Sequence, residues 1–94
     1  MAKFLVELPH ESNEVACIRA INLLLSTGSH VLTRAEWGCR DGEHKAWVIV
    51  DMTSKEEVRA IIPPIMRPDA KIVRLNKFTL EEVEELIRVH QPQL

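Results

Sequence analysis

The Asp41-Gly42 step constrains this chain more than any other feature, because it joins two alternating segments and so decides which side chains share a face. Residues 30–52 read as one β-hairpin. Asp-Gly suits a two-residue type I′ turn, in which both central residues take positive φ. That turn sets Arg40 opposite Glu43, Trp37 opposite Ala46, Ala35 opposite Val48 and Thr33 opposite Val50. The other face then carries Glu36 beside Trp47, Arg34 beside Ile49 and Leu32 beside Asp51. One face is small and apolar, while the second is apolar with charges set into it.

The rest of the chain reads as short elements with clear ends. Lys3 to Leu8 alternates as a strand, with Phe4, Val6 and Leu8 on one side, and Pro9 stops it. A helix is expected from an N-cap at Ser12, with Val15, Ile18, Ile21, Leu24 and Leu25 as its inward stripe and Gly28 at its C′ position. Ser54-Lys55-Glu56-Glu57 is a capping box that opens a helix with Val58, Ile61 and Ile62 inward, and Pro63-Pro64 ends it. Lys71 to Lys77 is the last strand, read with Val73 and Leu75 inward and Ile72, Arg74 and Asn76 outward. Thr79-Leu80-Glu81-Glu82 is a second capping box, and the helix it opens has Leu80, Val83, Leu86 and Ile87 on one side.

The order β-α-β-β-α-β-α predicts one α+β domain over residues 1–94. Its split-βαβ solution is a four-stranded antiparallel sheet in spatial order 4-1-3-2, with two helices on one face. Leu5, Leu32, Trp47, Ile49 and Ile72 would then lie on the open face, an apolar patch that monomers seldom leave bare.

Composition narrows the function classes. With 94 residues, 46% hydrophobic and 28% charged, the chain has the make-up of one soluble globular domain. A net charge of −2 gives no electrostatic attraction to nucleic acid, and no RNP-like Lys/Arg-Gly-Phe pattern or tyrosine platform is present. No apolar run reaches the ~20 residues of a membrane span. Cys17 and Cys39, the two cysteines, read as reduced thiols of a cytoplasmic protein.

Three further features carry a resemblance. They are the early Leu8-Pro9, the strand ending Val48-Ile49-Val50-Asp51-Met52-Thr53-Ser54, and a proline-broken second helix ahead of Ile72-Val73-Arg74-Leu75. Together with the layout they resemble the dimeric α/β-barrel superfamily of ferredoxin-like proteins, nearest to its muconolactone-isomerase-like members. The resemblance implies a homodimer with sheet faces packed together, a small-molecule ligand and no organic cofactor. It carries over no catalytic residue.

Two sets of residues are candidates for chemistry. On the open face, Glu7, Arg34, Glu36, Trp47, Asp51, Arg74 and Asn76 would bind a small molecule in a partly polar cavity between dimer sheets. There a carboxylate serves as a base and an arginine as an anion clamp in isomerase-type chemistry. The alternative is a metal site for Ni, Zn or Cu from His10, Cys39 and His44, with Asp41 or Glu43 nearby, since those segments meet at one sheet edge. A non-catalytic structural dimer, with the embedded charges as interface ion pairs, is the remaining reading.

Overall fold

A computed structural model describes residues 1–27 and 29–90. Gly28, the expected C′ residue, lies outside the described residues. Four strands, β1 (Ala2–Pro9), β2 (Glu36–Trp37), β3 (Lys45–Met52) and β4 (Lys71–Leu75), form one antiparallel sheet in the order β2-β3-β1-β4. Among the described residues, three α-helices, α1 (Glu14–Thr27), α2 (Lys55–Ile61) and α3 (Leu80–His90), accompany the sheet in an α+β arrangement. This strand order is compatible with a ferredoxin-like fold.

Period-two alternation places the core. Phe4, Val6 and Leu8 on β1 and Ala46, Val48, Val50 and Met52 on β3 are buried against Leu24, Leu32, Val58 and Ile62. Ser54 caps α2 by accepting from the Glu57 amide at 3.2 Å, and Thr79 does the same for α3 from the Glu82 amide at 3.1 Å. Pro63 then takes an extended conformation and the chain continues as a 3₁₀ turn over Pro64–Asp69.

Three expectations are corrected. The second strand shrinks to two residues, because Leu32–Arg34 turns as 3₁₀ helix and drives Leu32 fully into the core instead of onto the open face. Thr33 Oγ1 donates to the His30 carbonyl at 2.6 Å, a local bond that competes with the ladder. Arg34 therefore never pairs with Ile49, nor Thr33 with Val50, although Glu36–Trp47 and Trp37–Ala46 pair as expected.

Helix α1 starts from Asn13, whose Oδ1 accepts from the Ala16 amide at 2.8 Å, and not from Ser12. Its buried side carries Cys17, Ala20 and Leu24, about one residue or 100° away from the expected stripe. Val15, Ile18 and Leu25 are consequently exposed. Strand β4 has the opposite phase to that expected. Ile72 pairs with Val6 and is buried, and Arg74 pairs with Phe4 on the helix side, whereas Val73 pairs with Leu5 and Leu75 with Lys3 on the open face.

Helix α3 stands apart from this body. None of its residues is buried, and the Cα radius of gyration is 17.4 Å with principal extents of 56 × 29 × 21 Å. A compact chain of this length has a radius of about 12 Å.

Candidate metal centre

At one end of the sheet three elements converge. His10 follows Pro9 at the end of β1, and its amide donates to the His44 carbonyl at 3.1 Å, tying it to the residue just before β3. Cys39 lies in the loop between β2 and β3, and Cys17 enters from the first turns of α1.

That loop is not the expected type I′ turn. Cys39–Asp41 forms a 3₁₀ turn and Gly42 alone takes positive φ, at 83°. The Gly38 carbonyl accepts from the amides of both Asp41 (2.9 Å) and Glu43 (3.0 Å), and the Gly38 amide donates to the Lys45 carbonyl at 3.0 Å. The loop folds back so tightly on Gly38 that a Cβ there would lie 2.7 Å from the Glu43 carbonyl oxygen and 2.8 Å from a Trp47 ring carbon. Glycine at 38 is what allows Cys39 and His44 to share one small volume.

The result is a cluster of four donors. One ligand atom each from His10, Cys17, Cys39 and His44 lies within 4.8 Å of all the others. His10 Nε2 is 3.2 Å from the Cys39 sulfur, and the two imidazole rings meet edge-on with centroids 5.7 Å apart. Trp37 backs His10 at a centroid distance of 5.9 Å. Cys17 and Cys39 are joined as a disulfide, their Cα atoms 6.9 Å apart, which the expectation of two separate thiols did not anticipate. Asp41 and Glu43 stay exposed and outside the cluster.

The electrostatics suit neutral imidazole. Burial lowers the His10 pKa below its ordinary 6.5, and the neighbouring His44 lowers it further. The buried Nδ1 atoms of His10 and His44 have no hydrogen-bond partner among the described residues. A bare buried polar atom is costly, and such atoms call for a partner. Beside the cluster opens a cleft of ≈ 950 Å³, walled by Ile18, Ile21 and Trp37 with Glu14, Glu36 and Arg40 at its edges.

The structure thus brings together the three donors expected from sequence and adds Cys17. The spacing His10-x6-Cys17 and Cys39-x4-His44 is the signal that sequence reading had available. Cys17 was hidden because its neighbours Val15, Ile18 and Ile21 made a face about 100° away look like the inward one.

The small-molecule candidates are only partly gathered. Glu7, Glu36, Trp47 and Asp51 share the open sheet face by register. Trp47 Nε1 donates to Glu7 Oε1 at 3.1 Å, and Lys45 Nζ stands 3.7 Å from Glu7 Oε2. Arg34 and Glu36 rim a shallow hollow of ≈ 340 Å³ with Leu5, Trp47 and Ile49. Arg74 belongs to the helix side, and Asn76 lies beyond the end of β4.

Comparison with protein-family models, with curated proteins and with solved structures gives no match for this chain.

Proposed function

We propose that this protein is a metal-binding domain in which His10, Cys17, Cys39 and His44 hold a single zinc-like ion in a Cys2His2 site. The observation that carries this reading is the convergence of the four donor atoms within 4.8 Å of one another. A tetrahedral site with Zn–S of about 2.3 Å and Zn–N of about 2.0–2.1 Å has donor–donor edges of roughly 3.3–3.8 Å. The 3.2 Å from His10 Nε2 to the Cys39 sulfur is already close to such an edge. Tetrahedral S2N2 donors favour zinc, while nickel and copper(II) more often take tetragonal sites. Two thiolates neutralise the divalent charge, so a neutral complex replaces a partly buried cation. Four protein donors leave no open position, which suits a structural or storage ion better than a hydrolytic one.

The test is titration of the reduced protein with Zn²⁺, and with Co²⁺ as a coloured substitute. Binding of one ion per chain is expected, with thiolate-to-cobalt charge-transfer bands and the d–d absorption of a tetrahedral ion. His10→Ala and Cys17→Ser should each lose both the bands and most of the affinity. Stoichiometric binding that survives both substitutions overturns the reading.

The second reading, also proposed here, is a ferredoxin-like homodimer closing its open sheet faces around a small ligand. It is supported by half-exposed Ile49 beside Leu5 and Trp47 in the hollow rimmed by Arg34 and Glu36. With both Glu7 oxygens engaged by Trp47 and Lys45, Glu36 is the carboxylate left there for ligand chemistry. Light scattering of the wild type and of Ile49→Glu tests it. A dimer that Ile49→Glu dissociates is expected, and a wild-type monomer overturns it.

A further inference from the structure

We propose that the metal centre is also a thiol–disulfide switch. In the dithiol form Cys17 and Cys39 hold the ion with His10 and His44, and oxidation joins the two sulfurs and releases it. This inference rests on the metal-binding reading, but its support is a separate observation. The two cysteines that complete the donor set are the same two that are bonded to each other, with His10 Nε2 still 3.2 Å from Cys39.

The two states exclude each other chemically and lie close in geometry. The thiolate is the metal ligand, and a disulfide sulfur no longer carries the charge that binds the ion. Oxidation therefore leaves only His10 and His44. A disulfide holds its sulfurs about 2.05 Å apart, and tetrahedral zinc holds two thiolates about 3.8 Å apart. The Cα separation of 6.9 Å lies just beyond the 4.4–6.8 Å that disulfides usually span, on the side that suits two sulfurs held further apart by a shared ion. Rotation of two side chains thus covers most of the difference, with the backbone near a position that serves both states.

The oxidant is a hydroperoxide, and hydrogen peroxide is its simplest member. Cys39 is half-buried and Cys17 is buried, so Cys39 meets the oxidant first. Its thiolate attacks one peroxide oxygen and the O–O bond breaks, leaving Cys39 as sulfenic acid and releasing hydroxide. The Cys17 thiolate then attacks the Cys39 sulfur, forming the S–S bond and expelling a second hydroxide. The two thiolates lose two electrons, the peroxide gains them, and both hydroxides are neutralised by protons from the buffer. The ion leaves with its charge no longer balanced.

The experiment uses the reduced, zinc-loaded full chain, equimolar hydrogen peroxide and a chromogenic zinc indicator. Expected is release of zinc in proportion to disulfide formed, with loss of both titratable thiols and reversal by dithiothreitol with zinc present. Because zinc binds the dithiol form, the disulfide's midpoint potential should rise by about 30 mV for each tenfold increase in free zinc above its Kd. In Cys17→Ser the same treatment should leave Cys39 as a sulfenic acid trapped by a dimedone probe. Failure to trap it overturns the assigned order of attack. Disulfide formation with zinc retained, or a midpoint indifferent to zinc, overturns the switch alone. A reduced chain that takes up no zinc overturns both the switch and the metal site.

Discussion

Replacing Gly38 by alanine probes whether the fold of the β2–β3 loop sets the geometry of the proposed metal site. Gly38 has φ −96° and ψ 5°, a conformation open to any residue, so the added methyl acts through space alone. It would stand 2.7 Å from the Glu43 carbonyl oxygen, 2.8 Å from a Trp47 ring carbon and 2.9 Å from Glu43 Cβ. Carbon atoms rest at about 3.5–4.0 Å, so the neighbours must retreat by most of an ångström. The Glu43 carbonyl is backbone and cannot swing away, and Trp47 is held by its bond to Glu7. Overpacking of this kind costs about 1–3 kcal/mol, which lowers the melting temperature of a domain this size by about 4–8 °C per kcal/mol. Gly38 directly precedes Cys39, and the displaced Glu43 directly precedes His44. Zinc affinity should therefore fall by the 10–100-fold typical of disturbed support around a metal site. Thermal unfolding by circular dichroism, with and without zinc, and a competition titration for Kd measure both. A Gly38→Ala protein that melts within about a degree of wild type and binds zinc as tightly would refute this account of the loop.

Four other outcomes are expected. Gly42→Ala, at φ 83° with open space around the new Cβ, should lose about 1 kcal/mol through backbone strain and keep its zinc affinity, as denaturant unfolding and zinc competition would record. Leu32→Ala should destabilise by about 2–5 kcal/mol in urea titration, because Leu32 is fully buried; a near-neutral result would return it to the sheet surface. Glu7→Ala strands the Trp47 indole N–H and should cost about 1 kcal/mol with a shift in tryptophan emission. The zinc-free, disulfide-bonded protein should lose stability as pH falls below the ordinary histidine value of 6.5. The lowered His10 pKa means that the unfolded chain takes up the proton first, so acid favours unfolding. Urea midpoints across that range check the sign, and His10→Gln should flatten the dependence.

Much of the architecture was legible because independent local signals agreed. Alternation in Phe4-Leu5-Val6-Glu7-Leu8 fixed the phase of β1, the Ser54 and Thr79 caps marked two helix starts, and Trp37 opposite Ala46 followed from the position of the turn. The phases of α1 and β4 were not legible, for one shared reason. Ile72 alternates with Val73 and Leu75, and Val15, Ile18 and Leu25 compete with Cys17, Ala20 and Leu24, so each element has two plausible inward faces. Packing partners, not periodicity, decided between them. Position 32 was misread because a local Thr33 bond and a fully buried leucine together outweighed a few edge-strand pairs. At the four-donor cluster, sequence adjacency to strand ends located His10, Cys39 and His44. Cys17 depended on the rotation of α1 and so stayed out of reach.

The separation of α3 from the sheet has a consequence for how this helix persists. The eleven described residues of α3 are fewer than the roughly 12–15 that an isolated helix needs to hold its form in water, and none of them is buried against the chain's own core. Cap and charge pattern alone do not sustain such a segment. Its ellipticity is therefore a gauge of company. It should strengthen with protein concentration or an added binding partner, while the signal from the sheet stays constant.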